Sequence, residues 1–326
     1  MTNNIIKMDE ITEEITFDEA ITLVKKEVDN ALSKSPLIIR EYTKHLTASQ
    51  GKYIRAVSVI TCAQNKGGLV HPNAIRIAAA IEILHLATLV HDDIIDNADI
   101  RRGNITLQKK YGKRTAVICG DYLLSMSLKM AASIENKKDY LDISLPNYVS
   151  KVCLGELNQH LNNGNINLSI FQYLKIISGK TAALFEASFF AGAIFSGCEE
   201  AEARKYRQLG FQIGMIFQLT DDCMDYDKTM EVAHKPVQSD YEQGVVTLPL
   251  IHAFEQMVDF KAKAESTGIS REEINDAVAK TDGLKFTRIV VQKFYNKAMR
   301  IINGLDVTDS KKTNLVTILN KAARLA

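Results

Sequence analysis

Residues 72–98 read PNAIRIAAAIEILHLATLVHDDIIDNA, and this stretch decides the fold. Its apolar residues recur at intervals of three and four rather than in strict alternation, which is the period of a helix and not of a strand. Pro72 stands just inside its start, where a missing N–H costs nothing. At about 100° per residue His85, Asp92 and Asp96 fall within a narrow arc, with Ile81 and Thr88 beside it, so one face runs from apolar to ligating. Aspartates four apart on a helix share a face and offer two hard oxygen donors in one direction. In so apolar a segment, unpaired carboxylates are costly unless a cation compensates them.

The same period continues along the chain and predicts helices near 17–33, 36–49, 52–66, 72–98, 113–136, 143–162, 169–196, 199–226, 247–258, 283–304 and 308–324. Pro36 and Pro146, like Pro72, sit at the starts of periodic segments, whereas Pro236 and Pro249 lie in or just beyond the one clear loop. That loop, Lys228–Val246, has few apolar residues and mixed charge, and is expected to move. No composition shift, low-complexity tract or internal repeat marks a boundary, so the reading is one all-α domain over residues 1–326.

With 46% hydrophobic and 24% charged residues the chain suits a packed globular core, and its formal net charge of +1 gives no global pull toward nucleic acid or an anionic membrane. Cys62, Cys119, Cys153, Cys198 and Cys223 are scattered and never form C-x-x-C, which argues against a disulfide framework or a zinc site and fits a reducing cytoplasm. The start, MTNNIIKMDEITEEI, lacks the charged-then-apolar order of a signal peptide, and no apolar run of spanning length is expected; even Thr181–Gly197 carries Glu186.

A second cluster, Asp221-Asp222-Cys223-Met224-Asp225, repeats the D-D-x-x-D spacing. The wheel places Gly214, Phe217, Gln218, Asp221 and Asp225 on one side of its helix, where the small residue allows close approach. Two such carboxylate faces suit Mg²⁺, which keeps several waters and is completed by substrate phosphates. A diphosphate head with a greasy tail would match metals at one end of an apolar shaft. Arg101-Arg102 is either an exposed helix end or a bidentate phosphate clamp. His85 is either a satisfied core histidine or a ligand-binding group. Lys52 and Arg55 follow Gly51 and open an apolar helix, as snorkelling residues or as anion binders. Lys180-Thr181 follow Ser178-Gly179 inside an apolar segment, where an interruption exposes backbone N–H groups that favour an anion. A rival reading takes Glu82…His85 and Glu231…His234 as the E-x-x-H pairs of a di-iron bundle, with Glu156 and Glu186 bridging. It leaves both aspartate clusters without a role and puts Glu231 and His234 in the loop.

These residues resemble the trans-type polyprenyl diphosphate synthases, and among them the medium- and long-chain type that makes heptaprenyl or octaprenyl diphosphate. HDDIIDNADIRRG is similar to the family's first aspartate-rich motif and FQLTDDCMD to its second; Gly51-Lys52-x-x-Arg55, the His85 segment, Gly120-Asp121, Gly179-Lys180-Thr181, Lys235 and Thr247-Leu248-Pro249-Leu250 follow the family's order. The resemblance implies an all-α isoprenoid-synthase bundle around a deep cavity. It implies Mg²⁺-dependent condensation of isopentenyl diphosphate with geranyl or farnesyl diphosphate, with release of diphosphate. Carried over residue by residue, Asp92, Asp96 and Asp221 would ligate Mg²⁺, with Asp222 and Asp225 in support through water or hydrogen bonds. Arg101, Lys180, Thr181, Gln218 and Lys235 would hold the allylic diphosphate, and Lys52, Arg55, His85 and Arg102 that of isopentenyl diphosphate. Catalysis would rest chiefly on Asp92, Asp96, Arg101, Lys180, Asp221 and Lys235.

The chain departs from the pattern at Tyr53, Ala56, His234 and Val245, where arginine, proline, glycine and lysine are usual. Short-product synthases place an aromatic residue four or five positions before the first aspartate; here those positions are the small Thr88 and Ala87. A growing chain would pass them and stop at Leu84, Ile81, Leu123 or Met126, giving a product longer than farnesyl diphosphate. The family also implies a dimer, of like or unlike chains, and a lipid product that leaves toward a bilayer. A partner-dependent, non-catalytic subunit and a terpene cyclase of the same fold remain as alternatives. The cyclase has no reason to keep Lys52, Arg55, His85 and Arg102.

Overall fold

A computed structural model of the chain describes residues 13–47, 51–134, 145–226 and 244–325, and nearly all of them are helical. In chain order come α1 (Phe17–Ser33), α2 (Leu37–Thr47), α3 (Ile54–Ala63) and α4 (Pro72–Ile95), then a two-stranded hairpin, β1 (Ile100–Arg101) and β2 (Asn104–Ile105). They are followed by α5 (Leu107–Tyr111), α6 (Lys113–Ala132), α7 (Leu145–Leu161), α8 (Ile170–Ile177), a π-helical turn (Ser178–Ala182), α9 (Ala183–Ile194) and α10 (Glu200–Met224). The last helices are α11 (Leu248–Gln256), α12 (Val258–Ser266), α13 (Arg271–Lys280), α14 (Gly283–Asn303) and α15 (Asp309–Ala322). The chain gathers into two compact units, one drawn from Met1–Pro146, Ala187–Arg207 and Leu305–Leu315, the other from Asn147–Glu186, Gln208–Gly304 and Val316–Ala326.

The first unit is organised by α4, with α6, α1 and α3 packed against it. By length and composition α4 would pass for a membrane span, which the sequence reading did not anticipate, but most of its apolar side chains from Ala74 to Val90 lie in the core, Leu86 and Leu89 being only partly buried. Ala78, Ala79 and Ala80 are fully buried, and the Ser127 hydroxyl of α6 donates to the Ala80 carbonyl at 2.7 Å. α3 is held at both ends by charge. Tyr53 caps its start with φ 53° and no side-chain hydrogen bond, while the Glu82 carboxylate of α4 accepts from the Ala56 N–H at 2.9 Å. At the other end the buried Lys311 ammonium donates to the Cys62 and Gln64 carbonyls at 2.7 and 2.6 Å, a cation at the negative pole of the helix.

α4 stops at Ile95, short of the expected 98. Asn97 adopts φ 52°, Ala98 N–H donates to the Asp93 carbonyl at 2.9 Å and Asn97 N–H to that of Ile94 at 3.3 Å, the bonding of a Schellman stop. Arg101 and Arg102 therefore belong to a hairpin and not to a helix end. Arg102 and Gly103 both have positive φ, 52° and 79°, as a two-residue turn of the primed type requires. Thr106 and Gln108 side chains anchor the far strand by donating to the Ala98 carbonyl, each at 2.7 Å.

In the second unit Tyr173, Ile176, Ile177, Leu219, Leu248, Leu250, Ile251, Phe254, Ile274 and Val278 form one buried cluster. The segment expected as a single helix over 169–196 is broken by the π turn at Ser178–Ala182. Gly155 of α7 lies against it so closely that a Cβ there would sit 2.2 Å from the Lys180 backbone nitrogen. Helices α5, α12 and α13 were not expected from the periodicity, and Pro249 lies inside α11 near its start. Of the expected loop, residues 228–243 lie outside the described residues, Lys235 among them.

The small residue at Gly214 has the use the sequence suggested, since a Cβ there would stand 2.6 Å from the Ala182 Cα. Gly214→Ala must push α10 off backbone atoms, and overpacking of this kind costs about 1–3 kcal/mol. A melting temperature lowered by several degrees in thermal unfolding is the expected result; an unchanged melt would refute the close contact.

Candidate active site

The first acidic cluster stands at the C-terminal end of α4. The helical bond from Asp96 N–H to the Asp92 carbonyl, 2.8 Å, keeps these two aspartates one above the other, and both are half-buried. Asp93 points the other way, is buried, and accepts from Arg101 Nε at 2.5 Å. Burial pushes the Asp93 carboxyl upward, and the Arg101 guanidinium opposes that shift. Asp93 thus fixes the arginine expected to meet a phosphate. The sequence reading gave Asp93 no role, although its place inside D-D-x-x-D was the available signal.

A second cationic group lies on the same unit. Arg55, at the second position of α3, is buried, and its pKa falls to about 10 through burial, with Glu82 opposing and Arg102 reinforcing the shift. Burial drives the His85 imidazole well below its ordinary pKa, and the charges of Arg55, Arg102 and Arg101 push it further. Glu82 is pushed up by burial and drawn back by its backbone donors and by Arg55 and Arg102. Gly51 makes room for this group, since a Cβ there would meet Arg102 Nη1 at 2.4 Å. Arg55, His85 and Arg102 are thus brought together; Lys52 is exposed just ahead of α3. Glu82 was read only as part of a di-iron site, and the structure makes it instead the cap of α3. The glutamates such a site would need are also engaged, Glu156 by Lys180 at 3.0 Å and Glu186 by Lys151 at 3.2 Å.

The other acidic cluster ends α10 in the second unit. Asp221 is exposed and pairs with Arg324 Nη2 at 2.5 Å. Asp222, expected among the metal carboxylates, is buried, with Oδ2 accepting from the Tyr173 hydroxyl and Oδ1 from Gln218 Nε2 at 2.7 Å. Gln218 Oε1 in turn accepts from the Thr181 hydroxyl at 2.6 Å. Asp225 lies just past Met224, half-buried. Lys180 and Thr181 sit in the π turn, a distortion common at functional sites. Tyr173 and Arg324 were missed, and Glu156 was read only as a di-iron bridge, all three being remote in sequence from the motifs they serve.

Among the described residues no three His, Cys, Asp or Glu side chains gather into a metal-holding group. Each cluster instead keeps half-buried or exposed aspartates beside one buried aspartate, Asp93 or Asp222, that is hydrogen-bonded within the fold. That donor set fits a hard cation that keeps water and takes its remaining oxygens from phosphate.

An all-α fold whose long helices end in carboxylate clusters is that of the helical isoprenoid synthases, and the solved structures agree. Heptaprenyl diphosphate synthase from Staphylococcus aureus superposes with a TM-score of 0.86 at 31% identity, covering 96% of this chain and 99% of that one. A polyprenyl synthase from Caulobacter crescentus, solved with calcium and isoprenyl diphosphate, gives 0.84 at 26% identity over 95% and 96%. Heptaprenyl diphosphate synthase component 2 of Geobacillus stearothermophilus is 32% identical over 298 residues, 89% of this chain and 91% of its own length. The chain belongs to the polyprenyl synthetase family, whose model matches residues 36–281, and is a prenyltransferase.

The state of His85 is open to measurement. Its folded pKa lies below the ordinary 6.5, so the stability it permits is present above that value and declines as pH falls through it, the unfolded chain taking a proton that the folded one refuses. Urea midpoints from about pH 7.5 to 5.5 should fall more steeply for the parent than for His85→Gln, by up to about 1.4 kcal/mol per pH unit. Parallel curves would show that the imidazole is not held neutral.

Proposed function

We propose that this chain is a single-domain, Mg²⁺-dependent synthase that condenses isopentenyl diphosphate with geranyl or farnesyl diphosphate into a trans-polyprenyl diphosphate longer than farnesyl. The observation that carries the reading is the half-buried pair Asp92 and Asp96, stacked one turn apart beside an arginine that the buried Asp93 holds in place. Membership of the family and the likeness to heptaprenyl synthases support it. The calcium and isoprenyl diphosphate in the Caulobacter protein's structure favour a divalent cation and a diphosphate as ligands.

In this reading Asp92, Asp96 and Asp221 hold Mg²⁺, with Asp225 in support, and Asp222 serves from within through its hydrogen bonds. Bound Mg²⁺ would supply neutralisation of the charge that builds on the departing diphosphate. Arg101, Lys180, Gln218 and Lys235 hold the allylic diphosphate, and Thr181 holds Gln218. Arg55, Arg102, Lys52 and the neutral His85 hold the diphosphate of isopentenyl diphosphate and so bring its double bond to the allylic carbon. The carbon–oxygen bond of the allylic diphosphate breaks and the alkene attacks the allylic cation. A proton then leaves to the released diphosphate, so no protein nucleophile is required.

Ala87 and Thr88 lie on α4 between the acidic end and the buried Leu84 and Ile81, with Leu123 of α6 equally buried. This arrangement supports a path for a growing chain. The reading includes a dimer, and the name of the Geobacillus relative, component 2, favours an unlike second chain as one form of it. It places the enzyme in the cytoplasm, with the lipid product leaving toward a bilayer.

The test is incubation of the purified chain with Mg²⁺, labelled isopentenyl diphosphate and geranyl or farnesyl diphosphate, followed by sizing of the products. A ladder extending beyond farnesyl supports the reading; a hydrocarbon or alcohol would indicate a cyclase, and no incorporation a partner-dependent subunit. Asp92→Ala should abolish diphosphate release at every Mg²⁺ concentration that activates the parent, and retained turnover would remove Asp92 from the metal site. Thr88→Phe should shorten the product, whereas an unchanged product spectrum would sink the chain-length assignment.

A further inference from the structure

Tyr173 lies in α8, outside both aspartate motifs, and nothing in the mechanism above uses it. Its ring is buried at 3% exposure, and its hydroxyl donates to Asp222 Oδ2, itself on a side chain 3% exposed. A carboxylate so buried is tolerated only when donors meet its oxygens, and such charge-assisted bonds are the stronger kind. The other oxygen accepts from Gln218 Nε2, and Gln218 Oε1 accepts from Thr181.

These bonds have a fixed polarity. An ionised aspartate only accepts, so the Gln218 amide must turn its nitrogen toward Asp222 and its oxygen toward Thr181. The Thr181 hydroxyl hydrogen is thereby committed to Gln218, and the second Gln218 N–H is left as the group able to donate elsewhere. The relay ends in the π turn, next to Lys180, whose ammonium rests on Glu156.

We propose that Tyr173 is a positioning residue for the allylic diphosphate, acting through Asp222 to fix the orientation of Gln218 and with it the π-turn Thr181. The inference rests on the assignment of Gln218 and Lys180 to that diphosphate, with Thr181 holding Gln218. Without the phenol, Asp222 loses the Tyr173 donor at Oδ2, and its hold on the amide it orients is weakened.

Tyr173→Phe keeps the buried ring and removes one oxygen, so the core stays filled. KM is measured for each diphosphate with the other saturating, in the parent, Tyr173→Phe, Gln218→Ala and the double variant, with a thermal melt of each. Tyr173→Phe should raise KM for the allylic diphosphate about tenfold and leave that for isopentenyl diphosphate within about twofold, the loss of one buried hydrogen bond to a charge. In the Gln218→Ala background the same change should add less than about twofold, because its effect passes through Gln218. Equal rises in both KM values, no rise, or a full tenfold on top of Gln218→Ala would each overturn the proposal. An unchanged allylic KM in Gln218→Ala itself would overturn the site assignment, and the proposal with it.

Discussion

Negative charge collected at the ends of two long helices is the constraint on which the rest depends. Asp92, Asp93 and Asp96 close α4, and Asp221, Asp222 and Asp225 close α10, where the helix macrodipole already places partial negative charge. A carboxylate at a helix C-terminus is misplaced by about 0.3–1 kcal/mol even when exposed, and three crowded together add mutual repulsion. Such ends persist only where cations meet them. In the first cluster Arg101 meets Asp93, and in the second Arg324 meets Asp221.

Each outward-facing group is steadied by an inward one. Asp93 holds Arg101, Asp222 holds Gln218, Glu156 holds Lys180, and Glu82 holds the start of the helix that carries Arg55. Buried pairs of this kind add little net stability, because desolvation offsets much of their attraction, but removing one partner is expensive. Their value is therefore geometric. They leave few orientations open to these side chains, which is what the proposed binding of two diphosphates would demand.

The helical class and most helix limits were legible because helices such as α1 and α14 keep the three-and-four period over about four turns or more. What failed was local. The stop after Ile95 depends on Asn97 taking a positive φ, and the hairpin depends on Arg102 doing the same; neither residue type announces that conformation as glycine would. The π turn was foreseen only as an interruption at Ser178-Gly179, since a helix widened by one residue keeps nearly the same apolar face. The stretch holding α13 was assigned no helix, though Ser270-x-x-Glu273 is a capping box written plainly in the sequence. For the site, residues inside a motif were readable, whereas Glu156, Tyr173 and Arg324 are joined to it only by folding.

One helix also ties the chemistry to the lipid. α4 is apolar enough by composition to enter a membrane, and in the fold that character goes into the packing of Ala78, Ile81 and Leu84 against its neighbours. The helix changes character within about four turns, from the fully buried Ile81 through His85 and the small Ala87 and Thr88 to Asp92 and Asp96. A ligand with a charged head and an apolar tail fits that gradient without any second element having to change sign. The rise of about 1.5 Å per residue then makes each turn removed from the acidic end correspond to about 5.4 Å of additional tail. In the proposed reading, side-chain size along one face of α4 is therefore a length scale in the physical sense, and bulk at any of its steps would shorten the tail that fits.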